Sequence, residues 1–145
     1  MSFVIDNSIA LAWCFEDEQT AEIMQLLDRV VEMGAVAPQL WPIEALNGLL
    51  TAERRGRIDG ESRRRLAGFL QELPISIDDE TAGRSWFATA QLAELHRLTA
   101  YDATYLELAL RLDLPLATSD KPLIAAAERA GVRVLPAAGL SVSIS

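Results

Sequence analysis

Histidine, cysteine and lysine are almost missing from this sequence, which has one of each: His96, Cys14 and Lys121. A single cysteine excludes an internal disulfide framework and fits a reducing cytosol. Cys14 lies in an apolar segment followed by Glu16, Asp17 and Glu18, surroundings that disfavour a thiolate. One histidine, near a predicted helix end, does not suggest a Ser-His-Asp arrangement, and zinc-ligand spacing is absent. No G-x-G-x-x-G or Walker pattern occurs. Long hydrophobic runs are also missing. The longest uncharged stretch, Val134 to Ser145, has 12 residues, against the ~18 a membrane span needs. Asp6 interrupts the first apolar run with no basic residue before it, so no signal peptide is expected. These absences predict a soluble, cytoplasmic protein.

The chain does carry a large apolar fraction: half of its 145 residues are hydrophobic. That length predicts a single domain over residues 1–145, with a core burying roughly 70% of the extended surface. The net charge is −8. Such a balance counts against nucleic-acid binding unless positive charge is concentrated locally or a metal supplies it. Six arginines do cluster: Arg54, Arg55, Arg57, Arg63, Arg64 and Arg65. They could hold an acidic partner or a nucleic-acid backbone. Glu53, Asp59 and Glu61 dilute them, which tilts the balance towards an ordinary solvated surface.

Hydrophobic periodicity predicts short apolar strands alternating with helices. Phe3-Val4-Ile5, Ala35-Val36-Ala37, Ile75-Ser76-Ile77, Pro115–Thr118 and Val132–Leu135 read as strands. Between them, helices are expected over Ile9–Phe15 with Ser8 as cap, Thr20–Met33, Ile43–Arg55, from Asp59 to Leu73, Thr81–Leu98 with Trp86, Phe87, Leu92, Ala93 and Leu95 towards the core, from Thr99, and Lys121–Ala130. The tail Ala137–Ser145 carries no assignment. This alternation implies a three-layer α/β/α fold with a parallel sheet. In such sheets, sites lie beyond the carboxyl ends of the strands.

Four acids are expected at that edge. Asp6 ends the first strand, Glu44 opens the helix after the second, Asp102 opens the helix before the fourth, and Asp120 follows that strand. A helix returning antiparallel to the strand it feeds brings positions 102 and 120 to one side. Gathered together, such acids repel and take up protons unless a cation lies among them. Mg²⁺ or Mn²⁺ would neutralise them, keep several waters and leave room for phosphate oxygens, the arrangement of a metal-dependent phosphodiesterase. Each acid also has a purely local role to weigh. Asp6 and Asp120 suit helix caps, and Glu44 suits a first helical turn. Thr99-Ala100-Tyr101-Asp102 fits a capping box, on local grounds the better reading of Asp102. Only the convergence of all four favours the site. Ser8 and Thr118 read as caps or supporting hydroxyls. Asn47 reads equally as an exposed residue or as one orienting Glu44 or a water.

The segments Val4-Ile5-Asp6-Asn7-Ser8, Pro42-Ile43-Glu44-Ala45-Leu46-Asn47, Leu98-Thr99-Ala100-Tyr101-Asp102-Ala103 with Tyr105-Leu106-Glu107-Leu108-Ala109, and Leu116-Ala117-Thr118-Ser119-Asp120 carry a family resemblance. The chain resembles the PIN-domain ribonucleases, most closely the VapC-type toxins of bacterial toxin–antitoxin pairs, from residue 4 to about 135. That resemblance implies a central parallel sheet of order 3-2-1-4-5. It implies a catalytic Mg²⁺ or Mn²⁺ site of Asp6, Glu44, Asp102 and Asp120, with Ser8, Asn47 and Thr118 in support. It further implies endonucleolytic cleavage of RNA by metal-activated water, a small antitoxin that blocks the site, and a homodimeric toxin.

Two other functions compete. A non-catalytic binding module would hold a metal or a partner's arginine in the pocket and act by sequestration, with Trp13, Phe15 and Trp41 at its surface. A phosphotransfer enzyme would use Asp6 as nucleophile, but Asp6-Asn7-Ser8-Ile9 lacks the second acid two residues on.

Overall fold

The computed structural model describes residues 2–137. All but the first residue of the unassigned tail therefore lies outside the described residues. Five short strands form one parallel sheet: β1 (Val4–Ile5), β2 (Ala35–Pro38), β3 (Ile75–Asp78), β4 (Leu116–Ala117) and β5 (Val134–Leu135). Their spatial order is β3-β2-β1-β4-β5, as the resemblance implies. Every pairing is parallel, with Val4 beside Val36 and Leu116, and Ile5 beside Ala117. All strand carboxyl ends therefore share one edge.

Helices flank the sheet: α1 (Asn7–Cys14), α2 (Ala21–Met33), α3 (Trp41–Arg54) and α4 (Gly60–Glu72), then α5 (Thr81–Arg84), α6 (Ala90–His96), α7 (Ala100–Leu112) and α8 (Lys121–Arg129). Side-chain caps open five of them. Asp6, Thr20, Asp59, Thr99 and Asp120 each accept a backbone N–H from the first turn, worth about 1 kcal/mol apiece. Helix α2 ends at Gly34, whose φ of +80° disfavours a side chain and where an added Cβ would crowd the Pro74 carbonyl oxygen at 3.1 Å. The chain turns there directly into β2, and Ala35 N–H donates to the same carbonyl.

The centre of the core is α7. Residues Ala103 to Ala109 are buried without interruption, so this helix is covered on all sides rather than along one stripe. Phe3, Ile5, Ile9, Leu49 and Leu116 fill the space around it and the sheet.

The structure corrects three expectations. Asp6, not Ser8, caps α1, because the Asp6 carboxylate takes the Ser8 N–H. Trp13, Phe15 and Trp41 are buried and offer no interaction surface. The stretch from Thr81 is helical, but its outward face was misjudged. Trp86 is 93% exposed, Phe87 73% and Leu95 74%. A π-helical turn over Ser85–Thr89 joins α5 to α6. Its wider i→i+5 bonding breaks the 3.6-residue phase, so a face counted through it points the wrong way. Helix α6 then stops at Arg97, in the left-handed conformation.

Candidate functional site

The site is built by register. Ile5 pairs with Ala117, and Asp6 N–H donates to the Ala117 carbonyl at 2.9 Å. Asp6 and Thr118 thus leave two adjacent strands side by side. Thr118 Oγ1 donates to Asp6 Oδ2 at 2.9 Å, and Ser8 Oγ donates to the same oxygen at 2.6 Å. Thr118 Oγ1 then accepts the Asp120 N–H, and Ser8 Oγ accepts the Ser119 N–H, both at 3.0 Å. Ser8 and Thr118 therefore fasten the start of α1 to the turn before α8. Asp120 sits at the head of α8, where one carboxylate oxygen accepts the Leu123 N–H at 3.0 Å.

Glu44 and Asp102 arrive from the other side. Glu44 occupies the first turn of α3, which follows β2 after two residues. Asp102 occupies the first turn of α7. Thr99 caps α7 by accepting the Asp102 N–H at 3.1 Å. Among the described residues, no hydrogen bond returns from the Asp102 carboxylate to complete a capping box. That carboxylate faces the other acids instead. One turn along α7, the Tyr105 hydroxyl donates to Glu44 Oε1 at 2.6 Å.

The electrostatics report the crowding. Burial pushes the Asp102 carboxyl up to about 6, aided by the charges of Asp120, Asp6 and Glu44. Burial also raises Asp6, against the opposing hydrogen bonds from Ser8, Thr118 and Asn7. Glu44 is raised by burial and by Asp6, with the Tyr105 bond working against both. Among the described residues, no lysine or arginine forms an ion pair with any of the four. This is an anionic pocket without an internal counter-charge.

A second acidic group differs in kind. Asp78, Asp79 and Glu80 are the one trio of acids among the described residues whose oxygens all lie within 4.8 Å of one another. Their charge is already met. Arg111 pairs with Asp78 at 2.8 Å, Glu80 at 3.3 Å and Glu107 at 2.9 Å, and Arg84 pairs with Glu80 at 2.9 Å. The four edge acids stand further apart than that trio. Mg²⁺ and Mn²⁺ do not require so tight a group, since they bind through few carboxylates and retain several waters. The donor set is all oxygen and hard, and it carries an unmet negative charge, so the residues fit a divalent cation.

The structure thus brings Asp6, Glu44, Asp102 and Asp120 into electrostatic contact and places Ser8 and Thr118 among them. Asn47 is exposed on α3, and among the described residues no hydrogen bond joins it to the four acids. Tyr105 was missed as a site residue. Its signal was present: it lies three positions after Asp102, on the same helix face, with the hydroxyl of a buried residue needing a partner. The arginine cluster is partly structural. Arg57 pairs with Asp17 and Glu18 and stacks over Phe15, while Arg63 pairs with Glu53.

Comparison with known proteins agrees with this architecture. The PIN domain family profile matches residues 3–129. No curated protein sequence matches the chain significantly. Among solved structures, a Pyrobaculum aerophilum protein is similar at 22% identity and a TM-score of 0.65, covering 87% of this chain and 84% of its own. FitAcB from Neisseria gonorrhoeae is similar at 18% identity and 0.63, covering 92% and 96%. VapBC2 from Rickettsia felis, bound to a DNA fragment from their promoter, is similar at 11% identity and 0.67, covering 92% and 97%.

Proposed function

The chain belongs to the PIN-domain family, and from that membership we propose that it is a metal-dependent endoribonuclease, the toxin of a toxin–antitoxin pair. The observation that carries this reading is the anionic pocket: four acids on one sheet edge, three of them with raised proton affinity, and no paired cation among the described residues. Asp6, Glu44, Asp102 and Asp120 would hold Mg²⁺ or Mn²⁺. When bound, the cation supplies a nucleophilic water at neutral pH and stabilises charge on the scissile phosphate.

The chain's own residues do the positioning. Ser8 and Thr118 saturate Asp6 Oδ2 and so orient the carboxylate. Asp120 is locked by its cap on α8. Asp102, raised by burial and by the charges of Asp120, Asp6 and Glu44, would give up that extra proton to bind the cation. A single domain, a homodimer and a small antitoxin covering the four acids belong to the same reading, which rests on the family membership. An RNA substrate places the protein in the cytoplasm. No helix among the described residues is long and apolar enough to cross a membrane.

The test is cleavage of a fluorescent RNA library by purified protein in Mg²⁺ or Mn²⁺. Asp6→Asn and Asp102→Asn should abolish cleavage while circular dichroism stays native. Undiminished cutting by either variant would reject the assignment.

A further inference from the structure

The hydrogen bond between Tyr105 and Glu44 spans the interior from α7 to α3, 61 positions apart in the chain. Tyr105 is 1% exposed, and a buried phenol needs a partner for its O–H. The partner is a carboxylate, so the bond is charge-assisted, and its 2.6 Å length is typical of that class. A phenol has one proton to give. It engages Oε1 of Glu44, and among the described residues no hydrogen bond falls on Oε2.

We propose that Tyr105 is a positioning residue that holds Glu44 as a one-oxygen ligand, with Oε1 tied to the protein and Oε2 turned to the cation. This deepens the metal-site reading above and rests on it. Glutamate has three side-chain torsions, and Glu44 carries the same charge as the Asp6 carboxylate across the site. Left alone, its carboxylate would swing towards solvent, because the residue is only half-buried. The phenol opposes that movement. Asp6 repeats the pattern, since Ser8 and Thr118 all converge on Oδ2. Asp120 does too, since Leu123 takes its Oδ2. Carboxylates held by one oxygen suit a small octahedral cation better than Ca²⁺, which readily takes both. Groups that orient a metal ligand in this way typically contribute 10–100-fold to metal affinity.

Tyr105→Phe removes the hydroxyl and keeps the ring. The readout is Mn²⁺ binding to the purified full chain by titration calorimetry, with no RNA present. We expect the dissociation constant to weaken about 10-fold or more, and Ca²⁺ to compete better than it does against wild type. In a Glu44→Gln background the same change should leave Mn²⁺ affinity unaltered. A Kd within about threefold of wild type, or an equal loss in the Glu44→Gln background, would overturn the proposal and leave Tyr105 a packing residue. Should Tyr105→Phe not fold, wild-type proton NMR decides: the Tyr105 hydroxyl resonance should persist at saturating Mg²⁺. Its loss on Mg²⁺ addition would mean that Glu44 abandons the phenol, and would equally overturn the proposal. Wild type that binds no Mn²⁺, or Asp6→Asn that binds it as tightly, would instead overturn the site and this role with it.

Discussion

Replacing Asp102 with asparagine should make the chelated protein more stable, although it destroys the proposed site. Asp102 is half-buried, and its carboxyl is pushed from 3.8 to about 6 by burial first and then by Asp120, Asp6 and Glu44. A shift of roughly two pK units is at most ~3 kcal/mol, and half-exposure with solvent screening reduces that to about 1 kcal/mol. Asparagine forgoes about 0.3–0.5 kcal/mol of favourable charge at the head of α7. The net gain is then about 0.5–0.7 kcal/mol, or roughly 1–3 °C in Tm for a chain of this size. The pH dependence fixes the cause. Below about pH 4 Asp102 is protonated folded or unfolded, and it carries no penalty. Between 4 and 6 the folded state holds the extra proton, so wild-type stability falls as pH rises through this window. Above 6 the penalty is complete. Scanning calorimetry with EDTA should therefore show the variant ahead at pH 7.5 and the gap closed near pH 4.5. Adding Mg²⁺ should reverse the order at pH 7.5, because the cation stabilises only the protein that binds it. A variant melting at or below wild type in EDTA at pH 7.5, or a gap independent of pH, would refute the account of crowded like charges.

Two further outcomes follow from contacts away from the pocket. Arg111→Ala strands the buried carboxylates of Asp78 and Glu107, whose side chains are 10% and 6% exposed; urea unfolding should report a loss of about 3–5 kcal/mol, and a loss below 1 would mean that solvent already screens the pairs. Trp86→Ser should change stability by less than about 0.5 kcal/mol, as expected for a surface position, and should remove the one tryptophan emission readily quenched by acrylamide, since Trp13 and Trp41 are buried; a large destabilisation would place Trp86 in the core after all.

What could be read from the sequence divides along a physical line. Strands and caps were legible because they are local. A two- to four-residue apolar run bounded by Asp6 or Gly34 announces itself, and Asp59, Thr99 and Asp120 cap the helices expected of them. The shared edge of Asp6 and Thr118 was legible too, since β1 and β4 run parallel and end side by side. What failed depended on phase or on partners. Counting in steps of 3.6 through Ser85–Thr89 assumed a helix type the chain does not have there, so Trp86 and Phe87 were turned inward. Ser8 lost the capping role to Asp6 because either residue could satisfy the first free N–H groups, and pattern cannot rank them. Tyr105 went unnoticed because its meaning lies in Glu44, 61 positions away.

The placing of arginines gives the pocket its significance. This chain is rich in acids, and among the described residues six of them are neutralised by arginines. Asp17 and Glu18 receive Arg57, Glu53 receives Arg63, and Glu80 receives Arg84. Asp78 and Glu107, the most buried of these pairs, share Arg111. Where these two carboxylates are buried, a guanidinium accompanies them, because an unpaired buried charge costs several kcal/mol. Asp6 is as buried as Glu107, yet it receives hydroxyls and amides in place of a cation. Glu44 receives a phenol. Neutral donors orient a carboxylate without cancelling its charge. A fold that had no use for that charge could have met it with an arginine, as it does four residues beyond Glu107. The acids at the sheet edge are held in place and left negative, which is the condition a divalent cation requires.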